Sequence, residues 1–235
     1  MLIHYEENVE EIPHVCKKKE SCLVVYTPAI PDEHKELTYF RNEGFEIQKR
    51  AQVLGTLTKS HKGLCVAGTH GKTTTTSMIT SILMAADTDP TISVGGMLKE
   101  IGGNLRIGKS QYFVTEACEY MDSFLDFYPT LAIILNIELD HVDYFHSMTQ
   151  IEESYGKFAA KTGDNGFAVV NLCDDNVMRA VSGYKGNLVT FGVECKEADY
   201  SAENITFEHG CGRFDVVKNG EKLKQNNNKD NNLFK

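Results

Sequence analysis

The sequence predicts an α/β protein with a short N-terminal unit, a doubly wound central domain and a β-hairpin extension. Short apolar runs alternate with segments of helical spacing, as in a parallel sheet with crossover helices. The central apolar runs are nearly continuous, which suits strands that are covered on both faces. A glycine-rich turn joins one of these runs, residues 64–67, to a helix that starts near Thr73.

The first unit, residues 1–60, has the order strand, helix, strand, helix. We expect the strands at residues 23–26 and 45–47 and the helices at residues 32–42 and 51–59. A nucleotide-binding Rossmann half usually opens with a strand and a G-x-G turn, and this unit has neither. We therefore interpret it as a partial Rossmann-like unit whose first strand and helix are absent.

The second unit, residues 61–223, begins with strand 64–67 and helix 73–85. Further strands are expected at 92–94, 112–115, 131–135, 167–170 and 188–191, and helices at 154–160 and 174–181. Residues 95–104 are rich in glycine and predict a loop. Alternation of polar and apolar residues predicts a short hairpin with strands at 205–208 and 213–217. Residues 224–235 are rich in Asn and are expected to be disordered.

Composition narrows the classes of function. The chain of 235 residues has a net charge of −9 and a pI of about 5.4. Nucleic-acid binding needs a basic face, so we expect no nucleic-acid partner. The 7 cysteines form no C-x-x-C pair, which indicates reduced thiols in the cytoplasm. Without a secretory signal or a long apolar run, we expect a cytoplasmic protein with no membrane contact.

The turn after residues 64–67 has the chemistry of a phosphate site of the P-loop type. Backbone N–H groups and the helix dipole favour an anion there. Lys72 would reach the β- and γ-phosphates, and the Thr73 hydroxyl would ligate Mg²⁺. The common P-loop has glycine where this chain has Val66, so the turn is a tighter variant. The expected nucleotide-binding residues are Gly68, Thr69, His70, Gly71, Lys72, Thr73 and Thr74. A Thr-rich helix start with a chance Gly-Lys pair is the alternative.

Two further strand ends carry polar residues. Glu116 ends strand 112–115, with Glu119 beyond it, and residues 136–141 follow strand 131–135. Carboxyl ends of parallel strands meet at one sheet edge, so these groups would converge on the turn. A carboxylate could hold Mg²⁺ together with Thr73, and His141 could ligate a second metal. Alternatively, Glu116 caps a helix, and His141 and His70 only shape their segments.

Together these segments resemble the Mur ligases, ATP-dependent ligases of peptidoglycan synthesis. The resemblance rests on residues 68–74, on Glu-Ala-Cys-Glu at 116–119 and on Asn-Ile-Glu-Leu-Asp-His at 136–141. Many members of the family have an acid in place of Cys118, but the expected metal-binding Glu116 is retained. Further segments that agree with the family are 25–31, 50–54, 94–96, 103–104 and 171–175.

The resemblance implies a central ATPase domain at residues 61–223, preceded by part of a UDP-substrate-binding domain. It implies that ATP phosphorylates the lactyl carboxylate of UDP-N-acetylmuramate, and that L-alanine attacks the acyl phosphate to form an amide. Lys72 would neutralise the phosphates, Thr73 and Glu116 would hold one Mg²⁺, and His141 would hold a second. Asn136 would contact substrate or a metal-bound water, and residues 95–104 would face the sugar nucleotide.

The family has a third domain, and residues 224–235 stand where it would begin. We therefore expect this chain alone to bind Mg²⁺-ATP weakly and to release no ADP in response to alanine. One alternative is a nucleotide-binding module without ligase turnover. Another is a related ligase of the same fold, such as a folylpolyglutamate synthase or the muropeptide-recycling ligase. Residues 26–30, Tyr-Thr-Pro-Ala-Ile, suit a muramate-binding domain and weaken the folate alternative.

Overall fold

The computed structural model describes residue 3, residues 5–209 and residues 211–223. The predicted disordered tail, residues 224–235, lies outside the described residues. The α-helices are α1 (Lys35–Asn42), α2 (Arg50–Lys59), α3 (Lys72–Ala85), α4 (Met148–Ala160) and α5 (Asp175–Ala180). The strands are β1 (Leu23–Tyr26), β2 (Glu46–Lys49), β3 (Lys62–Ala67), β4 (Thr91–Leu98), β5 (Gly103–Arg106), β6 (Tyr112–Glu116), β7 (Pro129–Ile134), β8 (Phe167–Asn171), β9 (Asn187–Val193), β10 (Tyr200–Glu208), β11 (Cys211–Lys218) and β12 (Glu221–Lys222). Of the helices in these ranges, none has the length and apolar character that crossing a bilayer requires.

The N-terminal unit contains one strand–helix–strand crossover. Strands β1 and β2 pair in parallel, and α1 connects them. Leu37 of α1 is buried, and Phe45, also buried, packs edge-on against Phe40 at 4.9 Å. The predicted order of elements is therefore confirmed, in a 2-stranded sheet that is separate from the main sheet.

The main sheet has 10 strands in the order β12-β11-β10-β9-β8-β7-β3-β6-β4-β5. All neighbouring pairs from β10 across to β4 are parallel. The predicted α/β class is thus confirmed. Strands β10 and β11 form the expected antiparallel hairpin, although both are longer than predicted. Strand β3 lies between β7 and β6, so segments from three strands meet where β3 ends.

The prediction of a loop at residues 95–104 is wrong. Strand β4 continues to Leu98, and β5 returns beside it with Gly103 opposite Leu98. A 3₁₀ turn at Lys99–Ile101 reverses the chain, and Gly102 closes it at φ +63°. Glycine adopts this left-handed conformation at little cost, so the glycine content reflects a hairpin turn and not a loop throughout.

Helix α4 begins before the predicted start at residue 154. The Ser147 side chain accepts a hydrogen bond from the Gln150 N–H and caps the helix at Met148. The extra turns bury Ile151 in the core, next to Tyr155 and Phe158. Phe124 stacks on Phe158 at 4.8 Å, so this helix covers the segment that leads into β7.

Helix α2 packs tightly against the segment that precedes β7. A Cβ atom on Gly55 would lie 2.0 Å from the carbonyl oxygen of Asp126. The buried Thr58 hydroxyl accepts a hydrogen bond from the Tyr128 N–H at 3.0 Å. These contacts join residues on both sides of the predicted domain boundary between residues 60 and 61. That boundary stays a prediction.

Replacing Gly55 by alanine should destabilise the protein, because the new methyl group would overlap the Asp126 carbonyl. We expect the free energy of unfolding to fall by about 1–3 kcal/mol, the usual cost of overpacking. Urea unfolding measures the change. Gly183→Ala is the matched control, since a Cβ there meets nothing within 4 Å. Equal stability of the two variants would contradict the packing described for α2.

Candidate functional site

The turn between β3 and α3 is built for close approach of an anion. Gly68 has φ +144° and Gly71 has φ +83°, which are backbone conformations that residues with a side chain rarely adopt. Gly71 is the N-cap of α3, and no side chain caps this helix. The N–H groups of the first turn therefore have no partner within the helix, and the helix dipole adds partial positive charge. This is the geometry of a phosphate cradle.

Asn136 braces this turn from the end of β7. Its Oδ1 accepts a hydrogen bond from the His70 N–H at 2.8 Å, and its Nδ2 donates to the His70 carbonyl at 3.1 Å. Its own carbonyl accepts from the Thr69 N–H at 3.1 Å. The Thr69 hydroxyl in turn accepts from the Glu138 N–H at 2.8 Å. The Asn136 amide thus holds the turn; its predicted contact with substrate or a metal-bound water stays a prediction.

Lys72 points back over the turn and not into solvent. Its Nζ donates to the carbonyl oxygens of Gly68 and Thr69, and it lies 3.1 and 3.0 Å from the two carboxylate oxygens of Glu119. Glu119 is fully buried. His141 approaches the same carboxylate, with 3.9 Å between its Nε2 and Oε1 of Glu119. Lys72 and His141, both predicted for the site, therefore meet at Glu119.

Glu116 lies on the β4 side of the turn. Its Oε1 accepts a hydrogen bond from the Gly95 N–H at 2.6 Å, so it caps no helix. A Cβ on Gly95 would lie 2.9 Å from Glu116 Oε2, and a Cβ on Gly96 would lie 3.2 Å from Thr73 Cγ2. Glu116 and Thr73 thus approach adjacent glycines of one strand, where a larger residue would crowd both. Two of the three expected metal ligands share this side, and His141 approaches Glu119 instead.

The backbone around His141 is strained. His141, Met121 and Asp122 all have φ between 51° and 56°, which costs energy for residues with a side chain. The Tyr120 ring lies 4.6 Å from the His141 ring, and its hydroxyl donates to Asp143 at 2.7 Å. That hydrogen bond raises the pKa of Tyr120, so the phenol stays neutral and keeps donating. The imidazole of His141 thus packs beside a phenol that is itself held by Asp143.

Sequence reasoning missed the roles of Glu119 and Tyr120. Glu119 follows the expected metal ligand Glu116 by three positions. The sequence shows that it is an acid near the end of a strand, but it does not show what this acid contacts. Its burial against Lys72 depends on the turn of the chain after β6, where Ala117 N–H donates to the Val66 carbonyl at 2.8 Å. The contact of the Tyr120 ring with His141 depends on the same turn, and no local sequence pattern indicates it.

Comparisons with known proteins identify the family of the chain. The model of the Mur ligase middle domain matches residues 66–228. UDP-N-acetylmuramate–L-alanine ligase of Caldanaerobacter subterraneus subsp. tengcongensis is 47% identical over 213 residues, covering 89% of this chain and 46% of that protein. The chain thus spans about half the length of the curated relatives it matches.

Two solved structures share the fold. UDP-N-acetylmuramate-alanine ligase MurC from Thermotoga maritima superposes with a TM-score of 0.74 at 28% identity, covering 91% of this chain and 48% of that chain. UDP-N-acetylmuramate:L-alanyl-gamma-D-glutamyl-meso-diaminopimelate ligase from Neisseria meningitides gives a TM-score of 0.77 at 25% identity, covering 85% of this chain and 65% of that chain.

Replacing Asn136 by alanine should loosen the turn, because it removes both side-chain hydrogen bonds to His70. We expect faster amide hydrogen exchange at residues 68–72 and a loss of about 1–2 kcal/mol in unfolding free energy. Asn136→Asp keeps the acceptor for the His70 N–H and should lie between the alanine variant and wild type. Unchanged exchange in the alanine variant would show that Asn136 does not brace the turn.

Proposed function

The chain belongs to the Mur ligase family, and from that membership and its site geometry we propose that it supplies the ATP-binding part of a ligase. The proposed reaction joins L-alanine to the lactyl carboxylate of UDP-N-acetylmuramate through an acyl phosphate, in peptidoglycan precursor synthesis. The shared name of the relatives supports this substrate pair. The observation that carries the proposal is the uncapped N-terminus of α3 behind the Gly68–Gly71 turn, with Lys72 above it.

The residues of the turn fit a nucleoside triphosphate. Uncapped N–H groups of α3 would donate to the phosphate oxygens, and the glycines leave room for them. Lys72 would stabilise the charge that develops as the γ-phosphoryl group passes to the carboxylate. Asn136 would keep the cradle in shape by holding the His70 backbone. In this proposal the protein positions the reactants and stabilises charge, and it forms no covalent bond with them.

Magnesium fits the donor set on the β4 side. Mg²⁺ prefers one or two protein carboxylates together with substrate phosphates and water. In the described part of the chain, no three His, Cys, Asp or Glu side chains gather into a metal site. A site formed by Thr73, Glu116 and phosphate oxygens agrees with that finding, and we assign His141 to a second metal. When bound, Mg²⁺ would supply charge neutralisation for phosphoryl transfer.

We propose a cytoplasmic location, where this ligase would serve cell-wall growth and thereby cell shape and division. Six cysteines whose side chains the structure describes are free thiols, in keeping with a reducing compartment: Cys16, Cys22, Cys65, Cys118, Cys173 and Cys195. Cys65 is fully buried, and burial raises its pKa strongly, so it remains a neutral thiol.

The muropeptide-recycling ligase is the second candidate, because the Neisseria enzyme named above shares the fold. The two candidates differ in the amine that they would join to UDP-N-acetylmuramate. The full-length protein should release ADP with L-alanine and not with L-alanyl-γ-D-glutamyl-meso-diaminopimelate. The opposite preference would favour the recycling reaction.

Lys72→Ala should abolish nucleotide binding, because it leaves Glu119 buried without its ammonium partner, and this unpaired negative charge would repel the phosphates. Titration calorimetry with Mg²⁺-ATP measures the affinity. Cys118→Ala is the control, since this exposed thiol lies in the same segment as Glu119 and has no role in the proposal. Similar affinities for wild type and Lys72→Ala would refute the assignment of the turn.

Glu116→Gln should weaken metal binding in the presence of nucleotide, because an amide is a much poorer Mg²⁺ ligand than a carboxylate. With Mn²⁺ as the probe, electron paramagnetic resonance should report at least about ten-fold weaker binding, about 1.4 kcal/mol. The amide oxygen of the introduced glutamine can still accept from the Gly95 N–H, so the fold should be kept. Undiminished Mn²⁺ affinity would remove Glu116 from the metal site.

A further inference from the structure

Glu119 is a fully buried carboxylate whose two oxygens both face the ammonium group of Lys72, at 3.1 and 3.0 Å. The lysine side chain itself is 17% exposed. An ammonium group has three donors, and the other contacts of Nζ are the carbonyl oxygens of Gly68 and Thr69. The cation of the turn is therefore fully engaged by groups of the protein itself.

A buried ion pair of this kind is not explained by stability. Removing two charges from water costs about as much as their attraction returns, and apolar replacements are often as stable. Its clear consequence is electrostatic. Lys72 and Glu119 lie so close together that their opposite charges cancel for a ligand outside the pair. An incoming triphosphate therefore meets a turn that is neutral apart from the partial positive charge of the α3 N-terminus.

We propose that Glu119 is an internal counter-ion of Lys72, which keeps the turn neutral and makes triphosphate binding depend on a divalent cation. This inference rests on the proposed nucleotide binding. Because the carboxylate is buried, water and salt screen its repulsion of the phosphates only weakly. A divalent cation that arrives with the nucleotide supplies the positive charge that Glu119 has cancelled. Glu119 acts through Lys72, so it is a positioning residue and not a catalytic one.

The contact with His141 extends the same role. Glu119 Oε1 lies 3.9 Å from His141 Nε2. The ring of Tyr120, the next residue, packs against that imidazole in a tilted arrangement, with 4.6 Å between the ring centroids. One short segment therefore contacts both the ammonium of Lys72 and the imidazole of His141, which we expect to hold a metal.

The test compares ATP affinity with and without a divalent cation. Titration calorimetry is carried out with ATP in EDTA and in Mg²⁺, for wild type and for Glu119→Gln. The glutamine keeps the size and an acceptor for Lys72 but removes the negative charge. We expect its affinity for ATP in EDTA to be about ten-fold higher than that of wild type. The gain in affinity on adding Mg²⁺ should shrink accordingly.

Two variants control for the position and the size of the change. Glu138→Gln removes a carboxylate beside the same turn, where Glu138 Oε2 lies 3.5 Å from His70 Nε2. Both of these side chains are exposed, at 66% for Glu138 and 67% for His70. Solvent screening should limit its effect in EDTA to about two-fold. Glu119→Asp retains the charge and should bind ATP in EDTA as weakly as wild type. A merely structural role for Glu119 would make the aspartate and glutamine variants behave alike.

A double variant decides the matter if Glu119→Gln alone does not fold. Lys72→Gln/Glu119→Gln has the same net charge in the turn as wild type and leaves no buried charge unpaired. Its affinity for ATP in EDTA should stay within about ten-fold of wild type, since on this proposal the lysine charge is already cancelled. A larger loss would overturn the proposal.

The outcomes separate this inference from the proposed function. If wild type binds no ATP in Mg²⁺, both proposals fail. If wild type binds ATP in Mg²⁺ but Glu119→Gln gains no affinity in EDTA, the nucleotide site stands and the counter-ion role of Glu119 is refuted. A Glu138→Gln effect equal to that of Glu119→Gln would also refute it, because a general charge effect would then suffice.

Discussion

The site depends on the parallel pairing of β3 with both β6 and β7. Val66 lies opposite Glu116 on one side, and Ala67 lies opposite Ile134 on the other. Because the strands run in the same direction, the segments that follow them leave the sheet at one edge. The pairing continues past the strand ends, since Leu135 N–H donates to the Ala67 carbonyl at 3.0 Å. Without this register, the turn, the acids and the imidazole would not share one edge.

Burial beneath the turn determines how the charges behave. Val66, Ala67 and Ile134 are fully buried, so the floor of the site is apolar. Ions next to such a floor interact more strongly than in water and are costly to leave unpaired. This explains why the buried carboxylate of Glu119 takes the ammonium of Lys72 as its partner. It also means that any change in charge here affects an anion more than the same change at the surface would.

The sequence predicts most of the framework, because its signals are local. Continuous apolar runs predict buried strands, and Gly-Lys-Thr after such a run predicts a turn that leads into a helix. The convergence of Glu116, Asn136 and His141 on one sheet edge follows from a general rule for parallel sheets. The family match agrees with the predicted central domain.

What the sequence does not predict depends on contacts between distant segments. The hairpin of β4 and β5 is hidden because its glycines resemble those of a loop. The burial of Glu119 requires knowledge of where the chain turns after β6. The early start of α4 depends on one cap at Ser147, and the sequence alone does not show which of its polar residues caps the helix.

The most direct measurement is a crystal structure of the protein with a non-hydrolysable ATP analogue and Mn²⁺, using the anomalous signal of the metal. The account predicts that the phosphate chain lies against residues 68–74, with a manganese peak between the Thr73 hydroxyl and the Glu116 carboxylate. A nucleotide bound elsewhere, or a metal distant from both side chains, would contradict it.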